Sequence, residues 1–200
     1  MKEKTYRFVH ILYVLLITNI LSILYLAVGL FALTIVSVVF TNIEISTMLL
    51  NDEIDGYSGI LKIFNEGMKK HFKENKKSSI LTGIYTLTIV IAIFMLRRIQ
   101  MPIASILNYF FVYLYIVIVI YWAYYSLYVV IKEKNIKYID ALAIMFMKPK
   151  KLFTTTALFA LFMAMGIFRK EFLVILAIAI ISAMFVKINK STIETLEIKR

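Results

Sequence analysis

No charged residue occurs between Arg7 and Glu44, a run of 36 residues. As one helix it would reach about 54 Å at 1.5 Å per residue, against a hydrocarbon core of about 30 Å. One membrane crossing cannot use that length, but two can. Extended through Leu50, the run divides into spans at 8–27 and 30–50, with Gly29 at the place for a tight reversal. A third uncharged run, 79–96, is stopped by Arg97 and Arg98, and a fourth, 103–131, follows Pro102, a residue suited to a first helical turn. At 29 residues the fourth is long for one span and short for two, so it is expected to tilt or to project into the cytoplasm. Arg169, Lys170 and Glu171 divide the last apolar stretch into 152–168 and 172–186, a helical hairpin with Lys151 and Lys187 snorkelling at its open end. With 62% hydrophobic and 18% charged residues, a soluble monomer is excluded. The expected fold is all-α, a polytopic bundle of six transmembrane helices in one domain, 1–200.

Six spans put both termini on one side. Of the 23 basic residues, only Arg97, Arg98, Arg169 and Lys170 fall in the opposite loops. The positive-inside rule then predicts a multi-pass membrane protein with both termini in the cytoplasm. The net charge of +11 is thus a topology signal. Basic residues confined to short segments between apolar runs make no nucleic-acid surface, but they suit anionic lipid. The N-terminal basic residues, the apolar run and Ala27–Val28–Gly29 also match a cleaved signal peptide, yet the apolar run continues past that point, so the first helix is expected to be retained.

The chain has no Cys, two His and six scattered Gly. Thiolate metal sites, iron–sulfur clusters and cysteine nucleophiles are excluded, and no phosphate-cradling loop is present. Gly56–Tyr57–Ser58–Gly59 matches the G-x-S-G string of intramembrane serine proteases. That chemistry needs a His base facing the Ser within the bundle, whereas His10 starts helix one and Ser58 lies in a polar loop. The expectation is therefore no enzyme and no cofactor.

Two cytoplasmic helices are predicted. In 51–78, Leu61, Phe64, Met68 and Phe72 recur at helical spacing while Lys62, Lys69, Lys70, Lys73, Lys76 and Lys77 take other faces. This is an interfacial helix on the inner leaflet, or a dock for a soluble partner. A second helix, 136–147, stops before Pro149 and offers Ile136, Ile139, Leu142, Ala143 and Phe146 as an apolar face, to pack beneath the bundle or to bind a partner.

Glu44 is the only acid within the second span, where it snorkels, pairs with a loop lysine or handles a solute or proton. Asn19 and Asn108 sit inside apolar runs, as amides that hydrogen-bond across a helix interface do. On the fourth span Tyr109, Phe110, Tyr113, Tyr121, Tyr124 and Tyr128 share one face, a pattern of bundle packing or of a wall that stacks on sugar rings.

Asn19, the stretch from Phe64 ending in His71–Phe72–Lys73–Glu74–Asn75, Tyr125–Ser126–Leu127–Tyr128, and Ile139–Asp140–Ala141–Leu142 followed by Lys148–Pro149 are features of a known kind. On them, and over most of its length, the chain resembles the YesL-like family of small bacterial integral membrane proteins. The Pro and Gly-Pro steps of that family's first turn are absent, leaving only Gly29. The resemblance implies an accessory protein beside a carbohydrate ABC transporter and carries over no catalytic residues. The competing expectation is a small-solute-binding membrane subunit of an importer of the energy-coupling-factor type, also small and six-spanning. A homo-oligomer is compatible with either.

Overall fold

The computed structural model of the chain describes residues 2–29, 34–54, 59–96, 98–99, 101–168 and 178–196, with backbone alone at 2–3 and 163–168. The described residues form eight helices: α1 (Lys2–Val28), α2 (Ile35–Leu50), α3 (Ile60–Glu74), α4 (Lys76–Leu96), α5 (Pro102–Lys132), α6 (Tyr138–Met147), α7 (Pro149–Phe168) and α8 (Ile178–Glu194). Helix boundaries follow local chemistry. Pro102 and Pro149 open α5 and α7, where the missing N–H is no loss. Glu133 closes α5 in the left-handed region, φ 52°. Asn75 separates α3 from α4, its N–H and side-chain amide both donating to the His71 carbonyl.

Three of these helices are long and apolar enough to cross a membrane: Lys4–Val28, Lys76–Leu96 and Pro102–Lys132. This is fewer than the six expected among the described residues. α2 is the clearest departure, since its 16 residues reach only about 24 Å, short of a hydrocarbon core of about 30 Å. The expected last hairpin turns at residues outside the described ones.

α2 instead forms the centre. It packs against α1, α3, α4, α5 and α8. Eleven of its 16 residues are buried, on all sides of the helix, which makes it a core element and not a lipid-facing one. One apolar cluster joins α1, α2 and α3 through Val14, Leu26, Ile45, Leu49, Phe64 and Met68. Another joins α2, α5, α6 and α8 through Ile43, Tyr124, Leu127, Ile144 and Phe185. The turn between α1 and α2 falls at Gly29, where a Cβ would lie 2.3–2.9 Å from the Thr34 side chain, so no other residue fits without displacement.

α5 is divided in its surroundings. Ile120 and Trp122 through Tyr128 are buried, whereas Ile103, Ile106, Tyr109, Phe110 and Tyr113 are exposed. The expected tyrosine face therefore does two jobs: Tyr124 and Tyr128 pack in the core, Tyr121 is half-buried, and Tyr109 and Tyr113 stand outside it.

Two amphipathic faces differ from expectation. On α3 the buried row is Ile60, Phe64, Gly67, Met68 and His71, so Leu61 is 52% exposed and Phe72 half-buried. The shift has a physical cause: Gly67 allows close approach to Thr41, which turns the helix toward α2 and seats it against α1 and α2. Lys62, Lys69, Lys70 and Lys73 are exposed as expected. On α6 the buried residues are Ala141, Ile144 and Met145; of the face expected to pack beneath the bundle or to bind a partner, Ile136 is half-buried against the core and Ile139, Leu142, Ala143 and Phe146 are exposed. Aromatic packing decides this: Tyr138 sits 5.5 Å from Tyr125 and 6.2 Å from Trp122 between ring centroids, which fixes the helix roll from its first residue.

Candidate functional site

The densest polar cluster off the surface lies where α3 crosses α2. Glu44 projects from α2 two turns before its end, with its side chain 26% exposed. From α3, His71 Nε2 lies 2.7 Å from Glu44 Oε2, and Lys70 Nζ donates to Oε1 at 3.2 Å. The Glu74 carboxylate stands 3.7 Å from His71 Nδ1. His71 is only 2% exposed, and its ring lies 4.9 Å from that of Phe40. Gly67, one turn earlier, brings the Thr41 side chain to within 3.1–3.4 Å of where a Cβ would be.

Chemically, this arrangement is a carboxylate held by one imidazole and one ammonium. A carboxylate left alone in an apolar bundle costs several kcal/mol, so the pairing lets Glu44 sit among buried neighbours. Of the roles open to Glu44, pairing with a basic residue is the one the geometry displays. His71 is the partner that sequence reasoning missed. Its signal was present, because Ile60, Phe64, Gly67, Met68 and His71 follow helical spacing. Among the described residues no cluster of His, Asp or Glu is large enough to hold a metal ion.

The remaining expected site residues are distributed through the bundle. Asn19 Oδ1 accepts from the backbone N–H groups of Ile178 at 2.9 Å and Ala179 at 3.3 Å, the first residues of α8. This is a cross-helix amide bond of the expected kind, directed at backbone. Asn108 buries its side-chain oxygen without a hydrogen-bond partner among the described residues. Phe64 and Met68 are core residues; Lys69 and Lys73 point outward. Tyr113 is exposed, and Tyr121 donates to the Tyr138 carbonyl at 3.2 Å. Tyr124 donates to Asn189 Oδ1 at 2.8 Å, and Asn189 Nδ2 reaches Thr155 Oγ1 at 3.2 Å, tying α5, α7 and α8 together. Gly56, Tyr57 and Ser58 lie outside the described residues.

The basic segments meet at one end. Arg7 grips Asp52 through both carboxylate oxygens at 2.8 Å, Lys190 bonds Asn51, and Lys132 donates to the Glu194 carbonyl at 2.8 Å. Lys151 donates to Ser191 Oγ at 3.1 Å, and burial, with Lys148 nearby, pushes its ammonium below the ordinary lysine range.

A separate feature lies deeper. A partly open cavity of about 200 Å³ is lined by Val39 and Ile43 of α2, Val119 and Ala123 of α5, Phe159 of α7, and Ser182 and Phe185 of α8.

Comparison with known proteins adds no relative to this geometry: no protein-family model, curated protein or solved structure matches the chain.

Proposed function

We propose that the protein is a non-enzymatic accessory subunit of a bacterial plasma membrane, acting by contact with a carbohydrate ABC-type transporter in the manner of the YesL-like family it resembles. In this reading α1, α4 and α5 cross against lipid, α2 returns inside the bundle with protein around it, and α7 and α8 complete an even number of passes. Both termini, α3 and α6 then face the cytoplasm, where transporter ATPases work.

One observation carries the reading. α3 turns its apolar row inward, is tied to α2 through Glu44, and leaves Lys62, Lys69 and Lys73 exposed, while α6 leaves Ile139, Leu142 and Phe146 exposed. Exposed lysines of one sign on α3 steer an acidic partner, and an exposed apolar helix face such as that of α6 is the composition of a contact surface.

The alternative, a solute-binding importer subunit, has the cavity in its favour. None of the described residues that line the cavity is charged, and a sugar needs several hydrogen-bond partners that those walls do not offer.

Copurification in mild detergent separates the two. Recovery of ABC subunits, lost when Lys69→Glu and Lys73→Glu are combined, is expected for the accessory. Lys70 is left intact so that the Glu44 pairing survives. A tightly retained polar solute, with no transporter subunit recovered, would replace this reading with the alternative.

A further inference from the structure

We propose that the cavity between α2, α5, α7 and α8 is a binding site for one hydrocarbon chain, the tail of a phospholipid or of a free fatty acid. Three observations lead there. Among the described residues its walls are apolar except for Ser182 and Tyr115, and the Ser182 hydroxyl is already committed to the Ile178 carbonyl at 2.9 Å. Water in a cavity needs two to four polar partners, and an ion or a sugar needs more, so these walls select against all three.

Position supplies the second observation. The α5 wall runs from Tyr115 to Ala123, the middle of a 31-residue apolar helix. At that depth in a bilayer the abundant species is hydrocarbon.

The third is size and access. At about 200 Å³ and partly open to the outside, the space exceeds the engineered apolar cavity of about 150 Å³ that binds benzene in a soluble protein. A flexible alkyl chain can enter end-on and follow its shape, and each buried methylene adds favourable transfer free energy.

The chain carries its own reporter. Trp122 is the only tryptophan. It lines a small neighbouring gap whose walls include Val39 and Val119, and both of these also line the cavity. Bromine on an alkyl chain quenches indole only at short range, so a brominated chain in the cavity would darken Trp122.

The test uses the full chain purified in a maltoside detergent, titrated with a dibrominated stearic acid and, separately, with a phosphatidylcholine bearing the same brominated chain. Saturable quenching is expected. In Ser182→Leu, whose side chain takes the place of about three methylenes of the guest, the apparent affinity should fall by at least about tenfold. Ala123→Leu fills the same space from the opposite wall and serves if the first variant fails to fold. Both fillers should melt at or above the wild-type temperature, because they occupy space the guest otherwise fills. Quenching by the acid alone assigns a free fatty acid; quenching by the phospholipid assigns a lipid tail. Quenching that rises without saturation and equally in wild type and both fillers, or no quenching by either probe, overturns the site.

Discussion

His71 Nε2 stands 2.7 Å from Glu44 Oε2, in a seam where the histidine is 2% exposed and the carboxylate faces outward only in part. The two other contacts of that carboxylate and ring, from Lys70 and Glu74, are at 3.2 and 3.7 Å and on exposed side chains. His71 therefore does most of the holding. His71→Ala should destabilise the protein in detergent by about 2 kcal/mol, the scale of a hydrogen bond to a charged group. Lys70→Ala should cost about 0.5 kcal/mol, as exposed ion pairs do. Thermal melting of the two variants decides it, and equal shifts would remove His71 from this role.

Gly29→Ala is expected to disturb the α1–α2 turn, since the new Cβ would come within 2.3 Å of Thr34 Cγ2. A loss of about 1–3 kcal/mol is the usual range for a forced clash. Combining it with Thr34→Gly should recover most of the loss; melting curves that show no recovery would place the difficulty elsewhere.

Glu133→Gly should stabilise. A non-glycine residue at φ 52° carries a left-handed penalty of about 1 kcal/mol that glycine does not. Expected is a small rise in melting temperature with no change in expression, and a fall would show that the Glu133 side chain has a compensating contact.

Asn189→Leu removes the acceptor for the Tyr124 hydroxyl and the donor to Thr155. With Tyr124 buried, the orphaned hydroxyl should cost about 1–2 kcal/mol. Adding Tyr124→Phe should recover part of that loss, and a double variant no more stable than Asn189→Leu alone would contradict the pairing.

Orientation can be read directly because the chain has no native cysteine. A cysteine at Ile99, between α4 and α5, should react with an impermeant maleimide in intact cells. Cysteines at Lys69 and Lys134 should react only after permeabilisation, and the opposite pattern would invert the proposed topology.

Charge and hydropathy made the helical class and the position of most helices legible. Gly29, Pro102 and Pro149 marked real boundaries because their backbone chemistry is local. The roll of α3 and α6 was not legible, since both have apolar residues on more than one face and packing partners choose among them. For α3 the choice rests on Gly67 meeting Thr41, for α6 on Tyr138 meeting Trp122 and Tyr125. Helix α2 was over-read for a similar reason. An apolar run reads the same whether lipid or protein surrounds it, and here protein surrounds most of it. Glu44 was legible as unusual, but its partner on α3 lies 27 residues away and no periodicity links the two.

The bond from Asn19 to the start of α8 joins residues 159 positions apart. At about 5–20 residues per second of synthesis, the first helix waits about 8–30 s after insertion before that acceptor can receive its N–H. Throughout this interval the unfinished bundle is open along the side where α8 will dock. Closure of this seam is thus deferred until α8 has been made, and the insertion machinery or surrounding lipid must hold α1 until then.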